Sequence, residues 1–292
     1  MILIRKLKNL IGIRLGRNLI KIDYDKKRDR LKVNCPPCFQ DRTIKTVELF
    51  MMAFEYAKNK LNGDLHLAIC CEDYPSNKYH TKRKILSYTA LNENKNIILI
   101  PDFIFMNWKE CGIPDYSEIT EQLCSLSAKD CEYNTLFWIG NAKTHYTRET
   151  LLELSEKDNR IEAYATGWDS KNNKVLNTKY VSIPDHTKYK YLIDIQGNGY
   201  SGRIKMLMFT GRPLFIADRK WIEFWTNDVK PFVHYIPVKE DLSDLIEMLD
   251  WAEKNEEKCK EIAKNAQVFA KENLTREAAV KYITNTLIEL SK

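Results

Sequence analysis

Tyr191-Leu-Ile-Asp-Ile195 runs into Gln196-Gly-Asn-Gly-Tyr-Ser-Gly202 and then into Arg203-Ile-Lys-Met-Leu-Met-Phe209. The apolar run predicts a strand and Arg203–Phe209 a helix, so the glycines fall in a strand-to-helix turn. A helix start offers unpaired N–H groups and partial positive charge, and Arg203 and Lys205 add two full charges beside it. A diphosphate suits such a loop, with the backbone of Gly197, Gly199 and Tyr200 and the Ser201 hydroxyl as further donors. The bland readings are a glycine turn that merely closes, Ser201 as a helix N-cap, and Lys205 reaching into solvent.

The segments C-terminal to the loop sharpen the reading. Next come Gly211-Arg-Pro213, an apolar strand Leu214-Phe-Ile-Ala217, Trp221-Ile-Glu-Phe-Trp225, Lys230-Pro-Phe-Val-His-Tyr-Ile-Pro-Val238 and Asp241-Leu-Ser-Asp-Leu245. This ordered set resembles glycosyltransferase family 90, densely from Asp185 to about Phe269 and sparsely at Cys71-Glu-Asp-Tyr-Pro75, Ile100-Pro-Asp-Phe103 and Gly140 to Arg148. The resemblance implies two facing Rossmann-like domains of GT-B type. It also implies a UDP-sugar donor on the C-terminal domain, an acceptor largely on the N-terminal one, and transfer with inversion. Glu223 then becomes a candidate for the ribose hydroxyls or for fixing a loop, and Trp221, Phe224 and Trp225 read first as packing.

Two further stretches carry candidate chemistry. Phe137-Trp-Ile-Gly-Asn-Ala-Lys-Thr-His-Tyr-Thr-Arg148 resembles the family's strand–loop–helix motif, which implies that Gly140 and Arg148 belong to the nucleotide-sugar site. Ile139 stands where the motif has arginine, and Lys143 is the candidate to supply the missing charge. Glu72-Asp73-Tyr74-Pro75 follows a predicted strand, Leu65–Cys71, at the end where open α/β sheets bind ligands. Asp73 matches the family's catalytic aspartate, and Glu72 replaces the arginine before it. Repulsion between two adjacent carboxylates would favour a base of useful pKa. The competing reading of Asp73 is a turn cap, and that of Arg148 a solvated helix residue. His234 alternates with apolar neighbours and reads as a hydrogen-bonded residue at a strand end.

Composition sets the bounds. A chain of 292 residues with 44% hydrophobic content supports two domains. Helix and strand patterns alternate: a helical face over Thr46–Leu61 closed by Gly63, strands at Asn96–Ile100, Thr135–Ile139 and Ile161–Thr166, helices near Asp115–Ala128 and Thr147–Leu154, and a helical C-terminal third. That pattern predicts α/β architecture with parallel sheets, with a boundary between residues 1–130 and 131–292; the resemblance implies that the first domain serves the acceptor and the second the nucleotide sugar. The net charge of +6 resides in residues 1–22, which hold six basic and no acidic residues. The balanced remainder argues against nucleic acid as a partner. Residues 1–22 fit either an amphipathic helix on an anionic membrane surface or a core element with a basic end, and are too interrupted to span a bilayer. Eight cysteines without a secretory signal point to free thiols in a reducing compartment, on the inner face of the plasma membrane or in the cytoplasm. Cys35-Pro-Pro-Cys38 with Cys70-Cys71 is a poor zinc set, because adjacent residues diverge. With no convincing metal set, the resemblance implies a metal-independent transferase needing no cofactor beyond its UDP-sugar substrate. It would move a hexose, glucose first, to a glycan or lipid-linked acceptor such as lipopolysaccharide core. The alternatives are protein O-glycosylation and a non-catalytic nucleotide-sugar-binding protein.

Overall fold

A computed structural model describes residues 19–36, 39–75, 83–94, 96–169, 174–175 and 180–292. The chain is a mixed α/β protein of two compact units, one drawn from Met1–Phe103 and Val280–Lys292, the other from Ile104–Ala279. The division falls between Phe103 and Ile104, not between residues 130 and 131, because the intervening segment is anchored within the second unit. Arg276 donates to the carbonyls of Phe105 (2.8 Å) and Met106 (2.9 Å) and pairs with Asp115 (2.8 Å), while the Tyr116 hydroxyl donates to Leu274 O at 2.8 Å. The C-terminal residues return to the first unit, where Thr284 Oγ1 donates to Ala53 O and the Ser291 hydroxyl accepts from the Asn62 amide.

The first unit holds strands β1 (Leu19–Asp25), β2 (Arg30–Asn34), β3 (Leu65–Cys70), β4 (Lys84–Ser87), β5 (Ala90–Leu91) and β6 (Ile97–Leu99), with helix α1 (Gln40–Ala57) between β2 and β3. Five of these form a sheet in the order β2-β1-β3-β4-β6. The sheet is mixed, not wholly parallel: β3, β4 and β6 are parallel, but β1 is antiparallel to both β2 and β3. In β1, Ile20, Ile22 and Tyr24 are buried and alternate with the more exposed Lys21, Asp23 and Asp25, the period of a strand with one face on a core. Leu19–Ile22, the end of the basic segment, is thus strand and not helix; residues 1–18 and Cys38 lie outside the described residues. Helix α1 starts six residues before the expected Thr46 and passes into a 3₁₀ turn at Lys58–Lys60, so Gly63 does not cap it.

In the second unit lie α2 (Tyr116–Leu126), β7 (Tyr133–Asn141), α3 (Tyr146–Lys157), β8 (Ile161–Thr166), the short β9 (Trp168–Asp169) and β10 (Lys174–Val175), and β11 (Tyr189–Asp194). After them come α4 (Ile204–Leu207), β12 (Leu214–Ala217), β13 (Trp221–Ile222), β14 (Ile236–Val238), α5 (Leu245–Lys254) and α6 (Glu256–Asn273). Helix α7 (Arg276–Leu290) begins here and completes the first unit; the Thr275 hydroxyl accepts from the Ala278 amide and caps it, as its sequence predicts. Five strands pair in parallel in the order β14-β12-β11-β7-β8. Their near-continuous apolar sequences fit a buried parallel sheet, and Leu136, Trp138, Tyr191, Ile193, Phe215 and Ile236 join Leu245, Leu249 and Ile262 in one core. The chain moves from β7 outward to β8 and then crosses back to β11, so connection direction reverses between β7 and β11. In open α/β sheets the crevice beyond the strand ends at that reversal is where ligands bind.

His186 is buried with its ring edge on Phe137, 5.1 Å between centroids. Its Nδ1 donates to Ser182 O at 2.8 Å, and Nε2 has no hydrogen-bond partner among the described residues. Burial, aided by the Arg203 charge, pushes its pKa down from 6.5 to about 4. Between those values the unfolded chain binds a proton that the folded chain does not, so stability is lost as pH falls through that window, by about 3 kcal/mol from this residue. Denaturant melts at pH 7 and pH 4.5 are expected to show this loss in the wild type and a visibly smaller one in His186→Gln.

Candidate functional site

The reversal point of the parallel sheet is built around one buried carboxylate. Asp194, the last residue of β11, has no solvent exposure. It accepts the Ser201 hydroxyl at 2.6 Å, pairs with Arg219 Nη2 at 2.9 Å and stands 3.5 Å from Arg203 Nε. Arg203 Nη1 donates to Ile139 O, so the position where an arginine is missing from the motif receives a guanidinium from the neighbouring segment. Arg148 is buried near the start of α3 and bridges the two strand ends: Nε donates to Gln196 O (2.9 Å), Nη1 to Asn141 O (2.9 Å) and Nη2 to Ile195 O (3.0 Å). The Trp138 ring lies within 5.5 Å of both the Arg148 and Arg203 guanidiniums. Its π-face provides cation-binding surface where two like charges converge.

Three guanidiniums thus gather about one carboxylate, an excess of buried positive charge that an anionic ligand would offset. Burial, and then the Arg203 charge, pull Arg148 down to about 10. Burial likewise lowers Arg203, opposed by Asp194. His145 lies beside the cluster: its ring bonds Thr147 Oγ1 through Nδ1 (2.7 Å) and the Gln196 amide through Nε2 (2.9 Å), and burial lowers its pKa, which favours the neutral imidazole.

The other expected residues separate into two groups. Gly140 and Lys143 lie at the carboxyl end of β7, where the Asn141 side chain accepts from the Lys143 amide at 3.0 Å and Lys143 is exposed. Gly197, Gly199 and Tyr200 lie in the loop after β11, with Gly197 next to the Arg148 guanidinium and the Tyr200 ring near the Lys205 ammonium. Lys205 and Glu223 are placed differently: the Lys205 ammonium is wholly buried, bonds Gly202 O at 2.9 Å and faces the buried Glu223 carboxylate at 3.6 Å. Lys205 therefore neither reaches solvent nor extends into an open loop, and its charge is matched by Glu223. Ser201 spends its hydroxyl on Asp194 and does not cap the helix. The expected helix over 203–209 is a single α turn, α4, followed by a 3₁₀ turn at Met208–Thr210, so positive charge at this loop comes from arginine side chains more than from a helix dipole. Trp225 is buried against Phe269, Phe224 packs on Phe105, and His234 accepts from the Lys230 amide in a turn and not at a strand end.

Two site residues escaped the sequence reading. Arg219 follows the carboxyl end of β12, a position that strand-end logic alone points to. Arg42 lies in the first unit, where its Nη1 donates to Asp73 Oδ1 at 2.7 Å. Asp73 follows β3, two residues beyond buried Cys71, and its side chain is 39% exposed. Among the described residues there is no group of three or more His, Cys, Asp or Glu side chains able to hold a metal ion.

Comparison with known proteins adds lineage to this geometry. The glycosyl transferase family 90 model matches residues 20–292. Human protein O-glucosyltransferase 1 is 34% identical over 165 residues, covering 54% of this chain and 42% of that protein. Uncharacterized protein 179R of Invertebrate iridescent virus 6 is 34% identical over 152 residues, 44% of this chain and 13% of that protein. The chain thus spans less than half the length of these relatives. The crystal structure of Anabaena Alr3699/HepE in complex with UDP-glucose aligns at a TM-score of 0.37 and 15% identity, covering 59% of this chain and 44% of that one.

The glycine loop is also a packing element. No φ in it is positive, but a Cβ on Gly202 would stand 2.5 Å from Ile104 Cδ1 and 2.9 Å from the Trp108 ring. Gly202→Ala is expected to destabilise the protein by about 1–3 kcal/mol through overpacking, measured as a lowered Tm. An unchanged Tm would show that the loop yields freely.

Proposed function

The chain belongs to glycosyltransferase family 90, and we propose that it is an inverting, metal-independent transferase moving a hexose, glucose first, from a UDP-sugar to a surface-polysaccharide or lipid-linked acceptor such as lipopolysaccharide core. The observation that carries this reading is the arginine cluster at the reversal point of the parallel sheet. When a nucleotide-sugar bond breaks, its electron pair stays with the diphosphate, and catalysis needs fixed positive charge where that charge develops. Arg203, Arg219 and Arg148 supply it without a metal ion. The acceptor oxygen attacks the anomeric carbon on the face opposite UDP, and Asp73 takes the hydroxyl proton. The proposed arrangement is GT-B, with two facing Rossmann-like domains, the donor held by the second unit and the acceptor served by the first.

The same proposal places the protein at a reducing, inner membrane face, since Cys35, Cys70, Cys71, Cys111, Cys124, Cys131 and Cys259 are free thiols. Contact with anionic lipid is assigned to the basic residues 1–22. No helix among the described residues is long and apolar enough to cross a membrane. A second reading, transfer to a protein hydroxyl, is favoured by the protein O-glucosyltransferases among the relatives. Acceptor assays with glycan and folded-peptide substrates in parallel separate the two.

Calorimetric titration is expected to show UDP binding weakened by roughly 1.5–3 kcal/mol in Arg203→Ala, the value of a charged hydrogen-bonding partner. Equal affinity would remove Arg203 from the site. In the transfer assay, Asp73→Asn keeps shape but not basicity, so turnover should fall roughly 10²–10⁴-fold with UDP affinity preserved. Wild-type turnover should survive EDTA; loss restored by magnesium or manganese would overturn the metal-independent mechanism.

A further inference from the structure

We infer that Arg42 is the positioning residue for the Asp73 carboxylate, standing in for the cation that Glu72 displaces from the chain beside it. The inference rests on Asp73 being the acceptor-side base. Arg42 is the third residue of α1, where a cation opposes the helix dipole, so the position is a poor one for a charge that serves only the helix. Contacts among the described residues help hold it there. Its guanidinium lies 5.3 Å from the Phe39 ring centroid and 5.2 Å from that of Phe103, and Nη1 bonds Asp73 Oδ1 at 2.7 Å.

Of the two rings beside Arg42, Phe103 is buried and Phe39 half exposed. Phe39, whose ring meets the guanidinium, adopts a left-handed backbone at φ 50° and ψ 46°, uncommon for an aromatic residue. Phe103 is buried and closes the Ile100-Pro-Asp-Phe103 stretch. The Arg42 carbonyl accepts the Thr46 hydroxyl at 2.7 Å, and that hydroxyl is 2.5 Å from the buried Tyr88 hydroxyl. Arg42, extending from α1, therefore grips one carboxylate oxygen, and Asp73 Oδ2 carries no hydrogen bond or ion pair among the described residues. A base held by one oxygen with the other open is oriented toward an incoming hydroxyl, which lysine at the same place would achieve only in part, because it lacks the planar fork.

The test is the rate of UDP release from UDP-glucose, with water as acceptor, by the full chain and four variants. Arg42→Gln is expected to lower kcat roughly 10–100-fold, the scale of a misplaced catalytic group, with KM for UDP-glucose within about twofold of wild type. Arg42→Lys should recover part of the loss. In the Asp73→Asn background, Arg42→Gln should cause no further loss, because it acts through the carboxylate. Wild-type kcat in Arg42→Gln, or an equal loss in the Asp73→Asn background, would overturn the inference. A parallel fall in calorimetric UDP affinity would count against it as a folding defect. If Asp73→Asn alone keeps wild-type kcat, or if the wild type binds UDP but releases none from UDP-glucose, the assigned base or the transfer reading falls and the positioning role falls with it.

Discussion

The second unit depends on how Asp194 is buried. A carboxylate without solvent would be costly alone, and three guanidiniums without water would be costlier still; together they offset one another, with positive charge left over. Each partner comes from a different part of the sheet's carboxyl edge: Arg148 from the helix after β7, Arg203 from the loop after β11, Arg219 from the turn after β12. The charge cluster is therefore also a tie across strand ends, and Arg148 in particular spends its donors on three backbone carbonyls. An anion arriving here meets charge already in place, with little reorganisation left to do, the condition under which such charge is most effective.

The glycine-rich loop acquires a double meaning in this setting. Its backbone lies beside the arginines, but Gly202 is required by the approach of Ile104 and Trp108, and Ser201 is committed to Asp194. Behind it, Lys205 and Glu223 neutralise one another out of solvent, with Phe105 and Tyr200 near the ammonium.

In the first unit, Asp73 stands at a strand end as a half-exposed carboxylate with one arginine partner, a setting quite unlike that of Asp194. Asp194 is enclosed by cations, whereas a single oxygen of Asp73 is held by Arg42.

Much of this was legible in the sequence. The runs at Ile161–Thr166 and Leu214–Ala217 are strands with the bounds their apolar character predicts, and Thr275 caps the last helix. Those features are local: period, caps and turns are written in neighbouring residues. What only the tertiary structure decided is pairing across long separations. The antiparallel β1–β2 edge, the return of α7 to the first unit, the burial of Lys205 against Glu223, the convergence of Arg219 on Asp194 and the reach of Arg42 to Asp73 all join residues that no periodicity relates. A side chain's charge is visible in the sequence, but whether it meets solvent, a ligand or an opposite charge depends on which distant segment packs against it.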